Sequence, residues 1–128
     1  MHEREWLTDA ELKIMNCLWD RSPMTAPELT RALEPQTGWT RHTVIGLLKR
    51  MIDKQTVRVE EGGALKRYHP LIRREDVQRE QTTALVGRLF GGNALRLVSN
   101  LVDGGALDEQ EIEELSRMLD EAKRRGRE

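Results

Sequence analysis

The 128-residue chain carries 21 Lys and Arg against 22 Asp and Glu, a formal net charge of -1. That length allows one ordinary domain or two small ones and excludes a large catalytic fold, and the balance excludes a simple polycation. A single cysteine, Cys17, excludes an internal disulfide, while the opening MHEREWLTDA lacks the apolar stretch of an export signal and no run approaches the ~18 apolar residues of a membrane span, so a cytoplasmic chain without membrane insertion is expected.

Thr8-Asp9-Ala10-Glu11 has capping-box spacing and is followed by Leu12, Met15 and Trp19, which predicts a first helix from about Asp9 to Asp20 or Arg21, ended by Ser22-Pro23. Cys17 lies off that stripe and reads as a passive small side chain. Thr25-Ala26-Pro27-Glu28 repeats the box with Pro27 in the first turn, where its missing N-H does no harm, and predicts a short second helix through Leu33. After Pro35 and Gly38, Thr40 caps a third helix to about Lys54 whose inward stripe is Val44, Leu47, Leu48 and Met51. The period then changes: Val57-Arg58-Val59 and Leu65-Lys66-Arg67-Tyr68 flank Glu61-Gly62-Gly63-Ala64, a β-hairpin with a glycine turn, stopped by Pro70. Three short helices and a hairpin are the element order of a winged helix-turn-helix. The fold class expected is therefore mainly α with a small β-hairpin.

From about Arg73 a charged helical stretch runs to Phe90, then Gly91-Gly92, then a short apolar helix around Leu95, Leu97, Val98, Leu101 and Val102, then Gly104-Gly105. Asp108-Glu109-Gln110-Glu111 opens a last helix with Ile112, Leu115, Leu119 and Ala122 on one face. Two domains are expected, 1-72 as the winged helix and 73-128 as a helical dimerisation region. The second carries amphipathic stripes with too little apolar surface for a robust core of its own, so the stripes call for a second copy of the chain, a homodimer. Folding back onto the first domain is the alternative.

Charge is unevenly spread. Between Thr40 and His69, Arg41, Lys49, Arg50, Lys54, Arg58, Lys66 and Arg67 stand against Asp53, Glu60 and Glu61, a local excess of +4 that leaves the rest of the chain at -5. A basic island points to an anionic partner such as double-stranded DNA, although such runs also arise as solvated faces. With the stripe of the third helix turned inward, about 100° per residue puts His42, Gly46 and Lys49 on the opposite face, with Arg41 and Ile45 on one flank and Thr43 and Arg50 on the other. In helix-turn-helix readers this end of the helix supplies base contacts. Arg41 can give two donors to a guanine edge, Thr43 a hydroxyl and a methyl, and His42 a donor or an acceptor; Ile45 can touch a thymine methyl and Gly46 allow close approach. Lys49, Arg50, Arg58, Lys66 and Arg67 suit phosphates. Each has a bland alternative: Thr40 and Thr43 can simply serve the helix N-terminus, and Arg50 can pair with a carboxylate inside its own domain.

Chemistry of other kinds has little footing. The three histidines, His2, His42 and His69, lack metal-ligand spacing, Cys17 has no evident partner base, and no phosphate loop or paired catalytic carboxylates stand out. No enzyme, metal or cofactor is expected. A winged-helix module that binds proteins rather than DNA is the alternative, and its sign would be an apolar patch outside the third helix.

The segments LTDAELKIMNCLWDRSPMTAPELTRAL, TVIGLLKRMIDK, KRYHPLI, GGNALRLVSNLVD and LDEQEIEELSRML, in this order, resemble the BlaI/MecI/CopY group of transcriptional repressors along nearly the whole chain. The resemblance implies a dimeric repressor whose winged helices bind a pseudo-palindromic operator and whose C-terminal helices form the dimer. Family members often carry a lysine and threonine early in the recognition helix, where this chain has His42 and Thr43; their later arginine falls on Arg50, and Ile45 and Gly46 replace residues commonly polar. In the β-lactam-responsive branch a sensor-linked protease leads to cleavage of an Asn-Phe bond in the dimer region, and Asn100-Leu101 stands at that place here. The copper-responsive branch has a C-terminal cysteine cluster, which is missing from this sequence.

Overall fold

The computed structural model describes residues 7-127. Its elements run α1 (Asp9–Asp20), β1 (Met24–Thr25), α2 (Ala26–Thr37), α3 (Arg41–Asp53), β2 (Val57–Glu60), β3 (Arg67–Pro70), α4 (Arg74–Phe90), α5 (Ala94–Asp103) and α6 (Glu109–Gly126). The sheet is antiparallel with order β1-β3-β2, so Tyr68 of β3 faces Met24 on one side and Val59 on the other. This is the winged helix-turn-helix expected, with one strand more than the hairpin. The chain divides into two compact units, one through Thr82 and one from Thr83.

Both predicted capping boxes are formed. Thr8 Oγ1 accepts from the Glu11 amide at 3.1 Å while Glu11 Oε1 accepts from the Thr8 amide at 3.0 Å. Thr25 and Glu28 repeat the exchange at 3.3 and 2.9 Å. Replacing a cap residue of this kind by alanine typically costs about 1 kcal/mol, because an otherwise orphaned first-turn amide loses its acceptor.

Three helices build the core of the first unit. Ile14, Met15 and Leu18 of α1, Leu29 and Leu33 of α2, and Val44, Leu48 and Met51 of α3 are almost wholly buried, with Leu47, Val57 and Tyr68 beside them. The inward stripe of α3 is the one expected. That of α1 is rotated from the expected one: Leu12 and Trp19 are only partly buried, and Cys17 is packed against the core. Burial, and then the Asp20 carboxylate, push the Cys17 thiol above its usual range, which favours the unreactive protonated form.

Helix α2 runs through Pro35 to Thr37 rather than ending near Leu33. Proline removes one amide donor, but the carbonyl it would have served belongs to exposed Arg31 near the helix end, where water can satisfy it. Thr37 Oγ1 donates to the Leu33 carbonyl at 2.8 Å, and Gly38, at φ 66°, closes the helix in the left-handed conformation. That reversal lets Trp39 pack against the core and delivers Thr40 to the start of α3.

The first core continues past the sheet. Val77 of α4 is buried in it, Trp19 Nε1 donates to the Ile72 carbonyl at 2.9 Å, and the Arg74 guanidinium lies 5.5 Å from the centre of the Trp19 ring while pairing with Asp20.

The second unit is differently made. Asn93 caps α5 and Asp108 caps α6 in a capping box with Glu111, so both helices start as their sequences dictate. Neither α5 nor α6 buries a single residue. Leu95, Leu101, Val102, Ile112, Met118 and Leu119, and Leu89 at the end of α4, are exposed.

Candidate nucleic-acid interface

The start of α3 is shaped by its cap. Thr40 Oγ1 accepts from the Thr43 amide at 3.2 Å and donates to Thr43 Oγ1 at 3.3 Å, so the Thr40 hydroxyl caps the helix N-terminus. The first turns of α1, α2 and α6 contain carboxylates, but that of α3 contains none and holds Arg41 and His42 instead. The positive end of the helix dipole is therefore reinforced rather than neutralised, a setting that suits an anion.

Arg41, His42, Thr43, Gly46 and Lys49 are all exposed, above the buried Val44, Leu47, Leu48 and Met51. Around Gly46 there is open space: a Cβ built there meets nothing within 4 Å. Ile45, a candidate for thymine contact, is half-buried and packs against the core. The helix thus brings five of its predicted residues to one polar outer surface and turns a sixth partly inward.

Arg50 satisfies the second of its two readings without giving up the first. Its Nε lies 3.9 Å from Glu11 Oε2, yet the side chain remains 59% exposed. Glu11 itself is fully buried. Lys54, the residue that ends α3, donates to both Glu11 oxygens at 2.8 and 3.1 Å. Burial alone would raise the Glu11 pKa, but the Lys54 ammonium, the Thr8 amide and the Arg50 charge outweigh it and hold the carboxyl below its usual range. The stretch that follows α3 is fixed too: Gln55 takes a positive φ of 64°, and the buried Thr56 donates from both its amide and its hydroxyl to the Met51 carbonyl.

On the wing, Arg58, Lys66 and Arg67 are exposed. Arg67 is not wholly available, because its Nη2 lies 3.4 Å from Glu60 Oε2. The other Glu60 oxygen is 2.7 Å from His69 Nε2. The His69 hydrogen bond first, and then the Arg67 charge, lower the Glu60 pKa. Glu11 and the Glu60-His69 pair are the interface neighbours that the sequence reading missed.

Asn100 and Leu101 sit on α5 in the second unit, both exposed, with the Asn100 carbonyl accepting from the Gly104 amide at 3.0 Å. Among the described residues, no cluster of His, Cys, Asp and Glu is arranged to hold a metal, and no helix is long and apolar enough to cross a membrane.

Comparison with known proteins agrees with this geometry. The chain is 28% identical to the penicillinase repressor of Bacillus licheniformis over 122 residues, 95% of each chain. It is 24% identical to the methicillin resistance regulatory protein MecI of Staphylococcus aureus over 113 residues, 88% of this chain and 92% of that one. Among solved structures, the solution structure of the DNA binding domain of the repressor BlaI matches with a TM-score of 0.52 and 28% identity, covering 59% of this chain and 93% of that chain. Residues 7-121 match the penicillinase repressor family, and the chain belongs to it.

Proposed function

We propose that the protein is a non-enzymatic transcriptional repressor that binds a pseudo-palindromic operator in double-stranded DNA as a homodimer. The observation that carries this reading is the two-sided third helix: a cationic, polar first turn standing clear of a wholly apolar underside. A rod of this kind enters the major groove with its N-terminal residues toward the base edges. Arg41, His42 and Thr43 then read bases, while Lys49, Arg50, Arg58, Lys66 and Arg67 meet phosphates. The names of its relatives, a penicillinase repressor and a DNA binding domain, support the same assignment. The outer face of α3 carries His42 and Lys49 rather than an apolar patch, which argues against a module that binds only proteins.

Residues 73-128 form the dimerisation region in this reading, because among the described residues α5 and α6 leave Leu95, Leu101, Val102, Ile112, Met118 and Leu119 exposed. Proteolysis at Asn100-Leu101, by a sensor-linked protease, relieves repression. That bond lies within α5, so cleavage needs the helix to unwind locally before a protease can take it in extended form.

Selection of bound sequences from a random duplex pool tests the proposal, since it reads binding, half-site symmetry and spacing together. The expected result is a two-fold-symmetric site whose affinity falls steeply with salt, because each neutralised phosphate releases counterions. Failure to retain any duplex at ~50 mM salt refutes it.

A further inference from the structure

Among the described residues Glu11 is the one fully buried carboxylate, and its place in the helix cap does not require that burial. The same chain supplies the control. Glu28 performs the identical capping task at α2 while only partly buried, with Arg21 3.6 Å away as a loose surface partner. Glu11 instead lies beneath the C-terminal end of α3, 43 residues away from Lys54 in sequence, and is compensated there by Lys54 and Arg50. Burying a carboxylate is costly unless it is paired and hydrogen-bonded, and both compensating cations come from the recognition helix.

The geometry separates the two cations. Lys54 donates to both carboxylate oxygens and its side chain is 22% exposed, so it anchors the helix end. Arg50 approaches with Nε, the inner edge of its guanidinium, and stays 59% exposed. A guanidinium is a planar fork, so a carboxylate paired on the Nε side leaves the terminal nitrogens to face another oxyanion.

We propose that Glu11 is a positioning residue of the DNA interface: neutralised in place by Lys54, it turns the outer edge of the Arg50 guanidinium toward a DNA phosphate. The proposal rests on the DNA-binding reading above. It gives α1 a part in recognition although α1 touches no DNA in that reading.

The test is a double-mutant cycle with Glu11→Gln and Arg50→Ala, using the duplex selected from the random pool and full-length protein, with affinities corrected for folded fraction by thermal unfolding. Glutamine keeps the size and can still accept from the Thr8 amide, so the cap can survive. Each single variant weakens binding several-fold and lowers the salt slope by about 1, and the double variant is no weaker than Arg50→Ala alone. Losses that multiply, or a Glu11→Gln protein with wild-type affinity and slope, overturn the proposal. A role confined to folding would leave the slope of the folded protein unchanged. Should Glu11→Gln not fold, the Arg50 Nε-H resonance of the wild-type protein decides. A relaxation order parameter above that of the other exposed arginines supports the oriented guanidinium, and one equal to theirs refutes it. That resonance is measured without DNA, so it separates failure of this proposal from failure of the DNA-binding reading.

Discussion

Replacing Leu119 by aspartate tests the self-association of the second unit. Leu119 lies on α6 with 55% of its surface exposed, in company with Ile112 at 46% and Met118 at 59%. Complete burial of a leucine side chain contributes about 1.5-3 kcal/mol, so burying the remaining half of two symmetry-related copies contributes roughly 2-3 kcal/mol per dimer. By the rule of about 1.4 kcal/mol per tenfold, losing it raises the dimer dissociation constant by roughly 30- to 150-fold, and placing a carboxylate in the contact raises it further. Sedimentation equilibrium over a range of concentrations measures that constant directly. Leu65→Asp is the control, because Leu65 is equally exposed at 52% but lies on the wing. Leu119→Asp should shift the protein toward monomer while Leu65→Asp leaves the equilibrium where it was. A wild-type monomer at micromolar concentration, or equal effects of the two substitutions, refutes the dimer argument.

Gly46→Ala should stabilise the free protein by up to about 1 kcal/mol in urea unfolding, since the position is helical and open. If α3 lies as close to DNA as proposed, the same variant loses operator affinity despite its greater stability; unchanged affinity places Gly46 away from the groove. Arg41→Ala should flatten the preference among operator sequences in a competition assay, at a cost of about 1-3 kcal/mol for the preferred site, whereas Lys66→Ala should weaken all duplexes alike and reduce the salt slope by about 1. Because the Glu11 pKa is depressed in the folded state, its contribution is present above the unfolded value of about 4.3 and is lost as pH falls through the lower folded value. Thermal melts should accordingly show Glu11→Gln less stable than wild type near pH 7, with the gap closing in acid; a gap independent of pH contradicts the ion-pair account.

What could be read from the sequence was whatever is specified by a few neighbouring residues. Thr8-Glu11, Thr25-Glu28 and Asp108-Glu111 place helix starts by local hydrogen bonds, and the 44-47-48-51 spacing places the underside of α3. Strand β1 is not legible, because two residues carry no period and Thr25 is also the cap of α2. Glu11 escaped for a related reason. With Ile14, Met15 and Leu18 it completes the 11-14-15-18 stripe that the fold buries, but in sequence it reads as the capping-box partner of Thr8, and apolar residues alone give 12-15-19. Its partners, Lys54 and Arg50, lie far off in sequence and can be matched to it only in three dimensions. Val77, in a charged stretch, gave no sign of joining the first core, since one apolar residue among polar neighbours defines no face. At the candidate interface, the outer face of α3 was predictable from helical geometry, while the inward lean of Ile45 and the Glu60-Arg67-His69 contacts depend on packing and strand register.

Because β3 is the middle strand, the base of the wing is stitched along both of its edges, to β2 and to the residues just ahead of α2. Backbone amides there should resist deuterium until the whole unit opens, whereas those of Glu61 to Lys66, outside the ladder, exchange freely. The wing thus joins a firm root to a loose tip. Insertions, deletions or new charges at that tip can be tried on different operators while the helix that reads them stays where it is.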